Sequence, residues 1–105
     1  MSRTESPEFL EVATPMLAAG LADGGTVMGH PCLRVHGNFI AMAHHQEPGL
    51  VVKLSRARVA ELIASGEGRP FAPAGRPFGE WVHIPRHERA AWEELLTEAR
   101  EFALR

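Results

Sequence analysis

The chain has 105 residues, with 11 Lys and Arg against 13 Asp and Glu, a formal net charge of −2 and 45% hydrophobic residues. That is enough apolar content to close one core without disulfide or metal staples, and too little length for two. The single cysteine excludes an internal disulfide framework, no apolar run approaches the roughly 18 residues of a membrane span, and interspersed charge of nearly balanced sign excludes a strong overall attraction to polyanions or acidic membranes.

Ser6 is placed to cap a first helix, with Pro7 at the tolerated first position and Glu8 facing the positive end of the dipole. Phe9, Val12, Ala13, Met16 and Leu17 recur at helical spacing. Pro15 lacks a backbone donor and crowds the carbonyl of Glu11, which predicts a kink or two short pieces. Gly20, or an Asp23-Gly24-Gly25 turn, ends the element. Residues 29–43 then read as a β-hairpin about His36-Gly37 or Gly37-Asn38. Two-residue parity places Leu33, Val35, Ile40 and Met42 on one face, and His30, Cys32, Arg34, His36, Phe39, Ala41 and Ala43 on the other.

After a polar turn at 44–49, the apolar run 49–54 reads as a third strand with Lys53 pointing away from the faces of Val52 and Leu54. Ser55 caps a second helix that packs Val59, Leu62 and Ile63 inward, keeps its arginines outside and stops at Gly66. Residues 66–79 form a Gly- and Pro-rich loop containing Arg-Pro-Phe twice, with Phe71 and Phe78 as pins. Residues 80–84 form a fourth strand, and a last helix buries Trp92, Leu95, Leu96, Ala99 and Phe102. The expected architecture is one α+β domain over residues 1–105, a small antiparallel β-sheet with helices packed on one face, in the order α-β-β-β-α-β-α. Its core is expected to hold Leu33, Val35, Ile40, Met42, Val52, Leu62, Trp81, Trp92, Leu95 and Phe102.

Six histidines and one cysteine raise the question of a metal. His30, Cys32 and His36 share a strand face, with His45 opposite His30 if the turn is Gly37-Asn38. No Cys-x-x-Cys or His-Glu-x-x-His pattern is present, and Pro85 keeps His83 and His87 off a common helical face, so neither a metal nor another cofactor is expected. Cys32 beside His30 is the one arrangement resembling an activated nucleophile, and with Arg34 it makes a candidate ligand site. Glu93, Glu94, Glu98 and Glu101 read as solvated helix charge pairing with Arg89 and Arg100. Gly66-Glu67-Gly68 lacks the context of a phosphate loop and reads as a helix terminator. Lys53, Arg56, Arg58, Arg69 and Arg76 gather in the middle of the chain as a candidate nucleic-acid or partner surface, with Phe39 or Trp81 as stacking platforms.

The run from Met28 through Gly29-His30-Pro31-Cys32-Leu33-Arg34-Val35-His36-Gly37-Asn38-Phe39-Ile40-Ala41, the strand Leu50-Val51-Val52-Lys53-Leu54, the loop up to Phe78 and the strand at Glu80-Trp81-Val82 resemble the TfoX N-terminal-like and MmcQ/YjbR-like small bacterial proteins. The resemblance covers nearly the whole chain and implies a compact α+β module, sometimes described as DNA-binding, with no catalytic residue to carry over. The second domain of full competence regulators has no counterpart in these residues, so activity located there is not expected. Gly29-His30-Pro31 departs from the glycine pair or bulkier aromatic of several relatives, which implies a different loop before the hairpin.

The expected function is a non-enzymatic binding module acting on DNA or a protein partner through the outer hairpin face and the 66–79 loop. The alternative is a small enzyme or ligand-binding domain using Cys32, His30 and the loop arginines. Self-association through a sheet edge or the outer face is a further expectation, and no membrane role is expected. Glu5 and Glu8, with no basic stretch leading into an apolar one, do not read as a signal peptide, so a cytoplasmic location is expected.

Overall fold

The computed structural model describes residues 7–27, 29–44, 47–73 and 75–105; Ser6, Met28 and His45 lie outside them. Helix α1 (Pro7–Ala18) buries Phe9, Val12, Ala13 and Met16. It runs through Pro15 as one element rather than two pieces. Glu11 and Pro15 both lie on the exposed side, so the carbonyl that loses its helical donor faces solvent. Gly20 N donates to Leu17 O and Leu21 N to Met16 O, the paired bonds of a Schellman ending. The expected Asp23-Gly24-Gly25 turn is instead an edge strand, β1 (Asp23–Val27).

Strands β2 (His30–Val35) and β3 (Asn38–Ala43) form the hairpin. His36 and Gly37 are its turn, both with positive φ, 51° and 81°, as a type I′ connection requires. Val35 pairs with Asn38 and Arg34 with Phe39, but Leu33 then pairs with Ala41 and Cys32 with Met42. Ile40 is therefore the extra residue of a β-bulge, and the parity beyond it reverses. This corrects the expected faces. Ile40, Ala41 and Ala43 all enter the helix-side core, while Met42 lies beside Cys32 on the opposite face.

Next come β4 (Leu50–Lys53), α2 (Arg56–Ser65), the short β5 (Arg69–Pro70), β6 (Trp81–Ile84) and α3 (Arg89–Ala103). The antiparallel sheet has the order β1-β2-β3-β4-β6-β5. The order read from the sequence is kept, with β1 and β5 added at the two margins. Ser55 Oγ accepts from Arg58 N at the start of α2, and Gly66 closes its end. The core joins the sheet's inner residues, among them Leu33, Leu50, Val52 and Val82, to Phe9, Leu62, Trp92 and Leu96 of the helices. Trp92 is fully buried and donates from Nε1 to Arg86 O at 2.9 Å. Three other expected positions differ. Trp81 is half-buried on the outer face, Phe102 is half-buried at the end of α3, and Ile63 is exposed.

Candidate functional site

All three helices pack on one face of the sheet, which leaves the other face to the loops and strand side chains. Strand pairing lays one row across that outer face: Gly25, Cys32, Met42, Val51, His83 and Arg69. Its centre is dry, with Cys32, Val51 and His83 all buried. Over β4 and β6 the cover comes from the loop after β5. Phe71 is buried, and its ring meets His44, Phe78 and Trp81 edge-on or tilted. Phe78 N donates back to Phe71 O at 3.0 Å. Phe71 is thus the pin that the repeated Arg-Pro-Phe implied, whereas Phe78 rests on it with 46% of its surface exposed.

The His30, Cys32 and Arg34 group lies on the hairpin part of this face. Burial pushes the Cys32 thiol up, against a smaller opposing effect of Arg34, so its thiolate fraction falls below that of a free cysteine at neutral pH. Arg34 Nη2 donates to Gly24 O at 3.2 Å. A Cβ at Gly25 would lie 3.2 Å from the guanidinium, so the arginine folds back over the edge strand. His30 Nδ1 and Arg34 Nε are buried without a hydrogen-bond partner among the described residues.

A second group lies at the other margin. His44 follows β3, Glu47 sits in the β3–β4 turn, and His83 comes from β6, with one ligand atom from each within 4.8 Å of the others. They line a cleft of about 160 Å³ walled by Arg69, Pro70, Ala72 and Pro73. Glu47 N donates to His44 Nδ1 at 3.1 Å. His83 Nε2 lies 3.0 Å from Pro48 O; a carbonyl accepts only, so Nε2 is the donor. Arg69 Nη1 lies 3.8 Å from Glu47 Oε1. No spacing in the sequence marks this cluster, because His44 and His83 meet only through the β4–β6 pairing. His83 and His87 separate as expected, His87 Nε2 lying 3.5 Å from Glu11 Oε1.

The five expected basic residues do not form one patch. Arg58 is held by two bonds to Glu98, at 3.0 and 3.1 Å, and one to Glu61 at 3.2 Å, which raise its pKa further. It ties α2 to α3 instead of facing solvent alone. Arg69 pairs with Glu47, Arg56 lies across Gly79 at the end of the loop, and Arg76 is exposed. Lys53 lies on the outer face opposite Trp81. Of the α3 carboxylates, Glu93 pairs with Arg89 at 3.7 Å.

Among the described residues, no helix is long and apolar enough to cross a membrane. Compared with family models, curated proteins and solved structures, the chain matches none.

Proposed function

We propose that this chain is a non-enzymatic binding module that meets its partner through the outer face of its sheet, and that single-stranded nucleic acid is the partner its surface chemistry fits best. The observation that carries the reading is the strand register that sets Lys53 opposite Trp81 on that face, with Phe39 further along it. Phe39 is 41% exposed, and Phe78 adds a second exposed ring. Aromatic platforms interleaved with cations stack bases and neutralise phosphates without reading sequence. The likeness to TfoX N-terminal-like and MmcQ/YjbR-like proteins, which we propose as its family, supports the same reading. The enzyme alternative is less well supported, because Cys32 is buried and its thiol is shifted away from ionisation.

The test is a titration of fluorescently labelled oligo-dT against the protein at low salt. Binding that falls with Phe39→Ala and with Lys53→Ala/Arg76→Ala is the expected result. No binding at low salt would remove nucleic acid and leave a protein partner for the same face.

A further inference from the structure

We propose that His44, Glu47 and His83 form a binding site for one divalent late first-row metal ion, with Zn²⁺ as the probe. The inference is independent of the nucleic-acid reading. Two imidazoles and a carboxylate are a donor set suited to such ions, and three protein ligands leave a coordination position open toward the cleft. The grouping of ligand atoms within 4.8 Å of one another is joined by a separate feature of His83. Its imidazole is buried on a strand, and its Nε2–H is committed to Pro48 O. A backbone carbonyl holding one ring nitrogen is how ligating histidines are commonly oriented, with the other nitrogen presented to the ion. The turn that supplies this carbonyl is pressed against the ring. A Cβ at Gly49 would lie 2.5 Å from His83 Nε2, and the residue has a φ of 136°.

Of the other two ligands, Glu47 is held by an exchangeable contact. Glu47 pairs with Arg69 at 3.8 Å, and both side chains are more than half exposed, so the guanidinium moves into solvent when a cation takes the carboxylate. His44 accepts the Glu47 N–H at Nδ1. An ion at Nδ1 takes the place of that bond. Pro70, Ala72 and Pro73 complete the cleft with side chains that offer no competing donor. Ligating imidazoles must be unprotonated, so binding weakens in acid.

The experiment uses tag-free, chelator-treated protein and competition for Zn²⁺ with a chromophoric chelator, with Co²⁺ substitution giving visible absorption as a second readout. The expected result is one ion per chain. Glu47→Gln, at an exposed position, should weaken binding by at least about tenfold while retaining the parent's melting curve in chelator, and His44→Ala should weaken binding by a similar factor. His87→Ala, at a histidine paired with Glu11, should bind as the parent does. Absence of one-to-one binding by the parent would overturn the site. So would unchanged affinity in Glu47→Gln and His44→Ala, or an equal loss in His87→Ala.

Discussion

His36 is a β-branch-free but bulky residue holding a positive φ of 51° in a turn that favours Asn or Gly at that place. The left-handed region costs most side chains about 1 kcal/mol or more. His36→Asn is therefore expected to stabilise the protein by several tenths to about 1 kcal/mol in urea unfolding, and a loss of stability would mean that the ring makes a contact outweighing the strain. Gly49 is the opposite case. Its φ of 136° and the approach of His83 and Ile84 O to within 2.5 and 2.7 Å of a Cβ predict that Gly49→Ala costs about 1–3 kcal/mol; a change within the scatter of surface substitutions would refute this packing. Cys32 gives a pH signature. Burial raises its thiol above the ordinary value of 9.0, so the unfolded thiol ionises first. The stabilisation is present below that value and is lost as pH rises toward the folded one. The chain has no tyrosine to titrate in the same range. The unfolding free energy of the parent should fall from about pH 9 upward more steeply than that of Cys32→Ala; parallel declines would show that the thiol is not the cause.

At the scale of the elements, the hairpin separates what the sequence carries from what it does not. Its turn is legible, because Gly37 beside two alternating runs has few other uses. The Ile40 bulge is not, since it turns Ile40 and Ala41 to the same side, and the wholly apolar run 39–43 carries no polar residue to mark that break in alternation. Met42→Ala and Ile40→Ala test the register. Ile40 is buried among the helices, and its truncation should cost about 2–5 kcal/mol. Met42, half-buried on the outer face, should cost less than about 2 kcal/mol; comparable large losses at both positions would restore the unbulged pairing, which puts them on one face. Helix α2 is readable from its Ser55 cap and α3 from its apolar spacing, but β1 is hidden by Gly24-Gly25 and β5 by its length of two residues. For the same reason the hairpin candidates His30, Cys32 and Arg34 could be found from alternation along one strand. The His44, Glu47 and His83 cluster depends on β6 crossing to lie beside β4, a non-local pairing that no local pattern records.

For the whole molecule, charge sets the scale of any nucleic-acid affinity. A net charge of −2 supplies no long-range steering toward a polyanion, so attraction must come from local cations. Of the cations read from the sequence as a patch, Arg58 and Arg69 are already matched by Glu98 and Glu47, leaving Lys53, Arg56 and Arg76 to meet phosphates. If these three neutralise one phosphate each, the logarithm of affinity for a single strand should fall against the logarithm of salt with a slope of about −2. The exposed rings give bases a stacking surface that a closed duplex cannot use, so oligo-dT should bind more tightly than a duplex of equal length at the same salt. Lys53→Ala/Arg76→Ala should make the slope shallower by about one unit or more, whereas Phe39→Ala should lower affinity with little change in slope, because stacking releases no counterions. A slope unaffected by the cation substitutions, or a duplex bound as tightly as the single strand, would place the contact elsewhere on the molecule.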